Sequence, residues 1–250
     1  MNDLKGLDIK ILDEIIVSGL NNVYTAASLL IGDEENILYR DFFGTKDGIE
    51  KLTENDIFDL ASVTKVVATA TAVMKLIDSG QLHLKDKIGN YLNVSGQKGE
   101  ITIFELLTHT SLMPSYSTLW KEYKYKELFE KLIEIQPQKG PNKCYEYSCL
   151  NFITLMKIVE VVTQVNFKDY IEKVFIDLGM KNTCYNPIDK ERAVATSIRD
   201  GKRLKGDPDD ELAYYLGGVS GNAGLFSNVD DLRIFIYNLL SGKIVSEKTF

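Results

Sequence analysis

The stretch Phe58-Asp59-Leu60-Ala61-Ser62-Val63-Thr64-Lys65, followed by the apolar run from Val66 to Ile77, decides how the rest of the chain is read. Ser62 and Lys65 stand three apart at the first turn of a helix expected from about Ser62 to Asp78, so their side chains leave one face as neighbours. Serine is a weak nucleophile at neutral pH and needs a base within hydrogen-bond reach; a lysine whose charge is disfavoured by burial can serve as one. The helix behind the pair is apolar or small on nearly every side, which reads as a helix buried all round. A reactive pair at the tip of such a rod is rigidly held.

Composition bounds the function. With 250 residues, 44% hydrophobic and 26% charged, the chain can bury a sizeable core, as one large domain or two small intertwined ones. A net charge of −7 and the absence of a dense Lys/Arg patch argue against general affinity for nucleic acid or anionic membranes, leaving small-molecule or peptide substrates as the expected partners. No apolar run reaches the roughly 20 residues of a membrane span. Met1 to Lys5 does not open a basic, then apolar, then small-residue export signal, which favours a cytoplasmic location over export. Cys144, Cys149 and Cys184 are odd in number and lack CxxC spacing, as expected of reduced thiols. Nothing in the sequence speaks to oligomeric state.

In chain order, Leu7 to Leu20 carries a helical apolar stripe that stops near Gly19, and Val23–Leu30 with Asn36–Phe43 reads as a β-hairpin around Gly32-Asp33-Glu34-Glu35. Further helices are expected at Ile103–Leu107, Tyr125–Ile135, Leu150–Gln164, Phe167–Phe175 and Val229–Leu240, the last capped by Asn228. Thr183 to Glu211 reads as irregular, with a strand near Arg192 to Ser197. Gly217 to Gly224 is a glycine-rich turn. The fold class is therefore α+β: a sheet-associated region from 1–80 and 212–250, and a mainly helical region from 81–211, with the site between them.

Five local patterns occur in order: Ser62-Val63-Thr64-Lys65, Leu106-Leu107-Thr108-His109-Thr110-Ser111, Tyr147-Ser148 before an apolar helix, Leu178-Gly179-Met180-Lys181-Asn182-Thr183, and Gly221-Asn222-Ala223-Gly224-Leu225-Phe226-Ser227. Together they closely resemble the serine β-lactamase-like hydrolases, a broad family of class C β-lactamases, D-alanyl-D-alanine peptidases and esterases. The resemblance covers the chain from about Val23 onward. It implies a β-lactamase/transpeptidase-like fold without a metal or organic cofactor. It also implies that Ser62 attacks a carbonyl to form an acyl-enzyme, with Lys65 helping to deprotonate it. Tyr147 matches the tyrosine of the family's Tyr-x-Asn motif, which shuttles the proton; a phenol is a weak acid, so that role calls for neighbouring positive charge such as Lys65. A second Ser-x-x-Lys match, Ser95-Gly96-Gln97-Lys98, lies in a polar loop and reads as coincidence.

The chain departs from the pattern at several points. Cys149 stands where the family usually offers Asn to the substrate, and a thiol is a weak hydrogen-bond partner. Leu112 replaces a frequent glycine and Asn222 a frequent histidine, both read as tolerated structural variation. The Lys/His-Thr-Gly motif, whose strand contributes an oxyanion-hole N–H in the family, has no counterpart, so its strands are expected to be missing from this chain. Ile244 to Phe250 reads as a helix about to begin, hence a portion of a longer protein. His109 is expected to hydrogen-bond structurally, Asp207-Pro208-Asp209-Asp210-Glu211 to be a solvated loop near the pocket rim rather than a metal site, and Tyr116, Trp120, Tyr123 and Tyr125 to pack locally or form a lid. The resulting expectation is a serine hydrolase acting on a β-lactam, D-amino-acid peptide or small ester. The alternative is a noncatalytic peptide- or acyl-compound-binding protein on the same scaffold.

Overall fold

Helix α5, Cys149–Thr163, is hydrophobic around its circumference, and every residue from Cys149 to Val159 except Lys157 is buried. Such a helix cannot lie on a surface, and the rest of the fold is arranged around it. It stops at Gln164, whose backbone takes the left-handed conformation common at helix C-termini. The computed structural model describes residues 8–20, 22–33, 36–138 and 144–249. Packed against α5 are α2 (Thr71–Asp78), α3 (Ile103–Leu107), α4 (Tyr125–Glu134) and α6 (Phe167–Leu178). Helix α3 begins with a reciprocal capping box between Thr102 and Glu105.

The sheet elements are short. Helix α1 (Ile9–Gly19) precedes an antiparallel hairpin of β1 (Ala26–Gly32) and β2 (Ile37–Gly44), in register from Ala26 opposite Gly44. Leu7, Glu34 and Glu35 of the expected helix and turn lie outside the described residues. A second sheet has the order β3–β7–β4, with β3 at Phe58–Asp59, β7 at Leu225–Ser227 and β4 at Cys184–Tyr185. Strand β7 is buried along its length and pairs antiparallel with both neighbours, drawing the segment before Ser62 against the end of the glycine-rich turn. Helix α8 (Val229–Leu240), capped by the Asn228 side chain, packs on β1.

Four expectations are corrected. The rod after Ser62 is not one buried α-helix: a 3-10 turn at Ala61–Val63 leads into a π-helical segment at Lys65–Ala70 before α2 begins. Ser62 is exposed, as are Val63 (49%) and Val66 (56%), so one side of the rod's tip is open. The segment from Thr183 to Glu211 holds β4 and a small hairpin, β5 (Ile198–Arg199) and β6 (Lys202–Arg203), rather than a strand at Arg192 to Ser197. It also leads into α7 (Glu211–Tyr215), unforeseen because its five residues are too short for a periodic signal. Residues 244–249 form a turn, with the Thr249 N–H donating to the Ser246 carbonyl, rather than a starting helix; Phe250 lies outside the described residues. Among the described residues, no single helix is long and apolar enough to cross a membrane.

Candidate active site

The site is assembled from three separate parts of the chain. The first is the turn into the rod. Leu60 donates its N–H to the Leu225 carbonyl, and Leu225 donates its own to Thr64 Oγ1 at 3.2 Å, so β7 grips both ends of the segment carrying Ser62. Between these anchors Ala61 has φ 44°, a left-handed conformation that costs an L-residue with a Cβ about 1 kcal/mol or more. The Asp59 carboxylate accepts the Ala61 N–H at 2.9 Å and holds this turn in place. Burial raises the affinity of that carboxyl for a proton, opposed by the N–H bonds it accepts from Asp209 and Ala61.

One turn on, Lys65 is buried, and its Nζ lies 3.0 Å from Ser62 Oγ. The same Nζ lies 3.0 Å from the Asn222 carbonyl oxygen, 4.9 Å from the Tyr147 ring centroid and 6.0 Å from that of Phe152. The amine is thus confined between a hydroxyl, a carbonyl and two aromatic faces.

The second part is the N-terminus of α5. Ser148 Oγ donates to the Pro114 carbonyl at 2.6 Å, and the Ser148 N–H donates to His109 Nδ1 at 3.0 Å. His109 therefore presents an acceptor at Nδ1 and, when neutral, carries its proton on Nε2. Its own φ is 59°. Its ring lies against that of Tyr147, tilted by 35° with centroids 4.5 Å apart, and burial together with the nearby Lys65 charge pushes its pKa down. His109 orients Tyr147 and the start of α5. Leu112, where the family often has glycine, has φ 60°, so the glycine's role is conformational and the leucine carries strain.

Cys149 follows, buried, with its N–H bonded to the Ser115 carbonyl. Burial pushes its thiol pKa up, partly offset by the charge of Lys65 and by hydrogen bonding to Asn222 and Lys65. The structure therefore brings Ser62, Lys65, Tyr147 and Cys149 together.

The third part is the glycine-rich segment. Gly221 passes so close to α5 that an added Cβ would lie 2.1 Å from the Phe152 carbonyl oxygen. Thr69 Oγ1 donates to the Gly221 carbonyl at 2.7 Å. This close approach delivers the Asn222 carbonyl to Lys65. The Asn222 side chain is buried: Oδ1 accepts from Ser220 Oγ at 2.6 Å, and Nδ2 donates to Asp210 Oδ1 at 3.1 Å.

Asn222 and Asp210 were not singled out from sequence as site residues. Their signals were present. Asp210 carries the N-cap signature of α7, its Oδ1 accepting the Ala213 N–H, and Asn222 sits between small residues that allow a close backbone approach. The reading of 207–211 as a solvated loop near the pocket rim is corrected in one respect: the segment is partly to fully buried, with Asp209 and Asp210 bonded to site elements.

Tyr116, Trp120 and Tyr123 pack against the main core, with Trp120 stacked on Tyr215, while Tyr125 is exposed; local packing accounts for the first three. The second Ser-x-x-Lys match is structural. Lys98 is buried and donates to the Ile133 carbonyl at 2.8 Å, at the C-terminus of α4.

A serine hydroxyl and a lysine amine in contact at the start of a helical rod, facing a tyrosine at the head of a core helix, make an arrangement that serine acyl-transfer chemistry can use, on an α+β scaffold. The chain belongs to the beta-lactamase family, whose model matches residues 12–249. It is 30% identical over 88% of its length to an Escherichia coli K12 protein provisionally named a D-alanyl-D-alanine carboxypeptidase, of which it covers 61%. It is 29% identical over 92% of its length to an N-acetylmuramyl-L-alanine amidase of Bacillus subtilis, of which it covers 62%. Its fold matches the octameric penicillin-binding protein homologue of Pyrococcus abyssi with a TM-score of 0.78 at 22% identity, over 97% of this chain and 59% of that one. The chain thus spans about three-fifths of the length of these proteins.

Proposed function

We propose that this protein is a serine hydrolase that transfers an acyl group from an amide or ester to water through an acyl-Ser62 intermediate. The observation that carries this reading is the 3.0 Å separation of Lys65 Nζ and exposed Ser62 Oγ, with the amine otherwise enclosed. Lys65 takes the hydroxyl proton as Ser62 Oγ attacks the carbonyl carbon. The tetrahedral oxyanion collapses, expelling the leaving group, which accepts a proton relayed through Lys65 and Tyr147. Water then attacks the acyl-enzyme, its proton passing back through the same groups. Ser62 at the N-terminal end of the helical rod places the developing negative charge at the favourable end of its dipole. Cys149 faces the same space and is the candidate substrate contact in place of the usual asparagine.

Two relatives carry names that denote amide hydrolysis, which favours an amide or peptide carbonyl over an ester. Incubation with a fluorescent penicillin and with an activated fluorophosphonate tests the reading. Covalent labelling that disappears in Ser62→Ala is the expected result. Absence of labelling by either probe would leave the noncatalytic binder as the better description.

A further inference from the structure

Two residues of one loop reach opposite sides of the reactive pair. On the base side, Asp210 Oδ1 accepts from Asn222 Nδ2 at 3.1 Å, and the Asn222 carbonyl takes Lys65 Nζ at 3.0 Å. Asp210 is itself held, because the same Oδ1 caps α7 through the Ala213 N–H at 2.8 Å. On the nucleophile side, the Asp209 N–H donates to Asp59 Oδ2 at 2.8 Å, and Asp59 Oδ1 accepts the N–H of left-handed Ala61, the residue before Ser62, at 2.9 Å. The Asp210 and Asp59 oxygens face N–H donors, and the last link on the base side ends on the Asn222 main-chain carbonyl, so every bond in the chain has a defined direction.

The loop is anchored from behind. Arg199 Nη2 donates to the Asp209 carbonyl at 2.5 Å, Ser197 Oγ donates to Asp209 Oδ1 at 2.5 Å, and Lys190 pairs with Asp207 at 2.5 Å. The hairpin β5–β6 and the turn around Lys190 thereby hold 207–211 against the site. Adjacent loop residues tied one to the turn carrying the nucleophile and the other to the segment holding its base set the distance between them. Loss of either tie lets one partner move relative to the other, and misplacement by about 1 Å is enough for a large rate loss.

We propose that residues 207–211 form a brace that sets the Ser62–Lys65 geometry, with Asp210 and Asp59 as its positioning residues; this rests on reading Ser62 and Lys65 as nucleophile and base. Neither carboxylate touches the substrate in this scheme. Asp210 acts through Asn222, and Asp59 through Ala61.

The test compares acylation by the fluorophosphonate in the full chain and in Asp210→Ala, Asp210→Asn, Asn222→Ala and the Asp210→Ala/Asn222→Ala pair, with crystal structures of the single variants. Asp210→Ala is expected to acylate about 10- to 100-fold more slowly. Asp210→Asn keeps an oxygen acceptor toward Asn222 and Ala213 and should recover to within about threefold of the parent. The double variant should be no slower than the slower single, because both substitutions break one chain of contacts. In the Asp210→Ala crystal the Lys65 Nζ to Asn222 oxygen distance should exceed about 3.5 Å. Parent-like acylation by Asp210→Ala, multiplicative losses in the double variant, or an unchanged Lys65 contact would each overturn the brace.

If Asp210→Ala does not fold, Asp59→Asn makes an independent test. It must turn an NH2 toward either the Ala61 or the Asp209 N–H, and about tenfold slower acylation is expected. Should the parent itself not be acylated, the hydrolase reading fails, while the crystal distances still decide the brace.

Discussion

Lys65 Nζ donates to the main-chain carbonyl of Asn222, 3.0 Å away in space and 157 residues away in sequence. That bond aims the amine at Ser62 and leaves it few other places to go. Lys65→Ala removes the only group placed as a base within hydrogen-bond distance of Ser62 Oγ among the described residues, so acylation by a fluorophosphonate should slow by about 10²–10⁴-fold with the melting temperature largely kept. Stopped-flow or gel-based labelling kinetics make the measurement. A loss below about threefold would remove Lys65 from the mechanism.

Ala61 pays a conformational cost for its φ of 44°. Ala61→Gly should raise stability to urea by about 0.5–1 kcal/mol, since glycine adopts the left-handed region without Cβ strain. Acylation should slow, because the turn before Ser62 loses stiffness. Greater stability together with faster acylation would contradict the view that strain here serves placement.

Gly221 allows the close approach that brings Asn222 to Lys65. In Gly221→Ala the new methyl group would meet the Phe152 carbonyl oxygen at 2.1 Å and the Met156 Cβ at 2.8 Å. Overpacking of this kind costs roughly 1–3 kcal/mol. Thermal unfolding should shift down by several degrees. Labelling of Ser62 should fall with it, as the 221–222 backbone is pushed off α5.

The three thiols should differ in reactivity. Cys144 is exposed, whereas burial pushes the thiol pKa up at both Cys149 and Cys184. A raised pKa means less thiolate at neutral pH. Iodoacetamide at pH 7.5 should therefore modify Cys144 at least about tenfold faster than either of the others, read by mass spectrometry of peptides. Preferential alkylation of Cys149 would instead identify an activated thiol beside Ser62.

Lys98 makes stability depend on pH. Burial pushes its pKa down to about 8, against about 10.4 in an unfolded chain. Between these values the unfolded chain binds more protons than the folded one, so this residue's contribution to stability rises with pH from about 8 to about 10.4. The stability of the parent relative to Lys98→Met should increase by on the order of 1–3 kcal/mol between pH 7.5 and pH 10, measured by urea titration. A pH-independent difference would show that Lys98 keeps its proton throughout that range.

Much of the site could be read locally. Ser62 and Lys65 are neighbours because i and i+3 lie on one helical turn, and the 3-10 and π-helical departures from an α-helix leave them in contact. Helices α3 and α8 matched their expected limits, α8 because its N-cap Asn228 announces it, and in the structure α3 starts at a Thr102 cap. The two- and three-residue strands were invisible, since β3, β4 and β7 have too few residues for an alternating pattern and exist only by pairing with one another.

The sequence by itself determined the pairing of Ser62 with Lys65 and the core helix whose N-terminus carries Tyr147 and Cys149, because each follows from spacing or hydrophobic periodicity within one segment. Only the tertiary structure decided that Lys98, in an identical four-residue pattern, caps a helix, and that Asn222 and Asp210 belong with Lys65. Those outcomes depend on which distant backbone groups packing carries to within 3 Å or so of a side chain, and no local pattern encodes that distance.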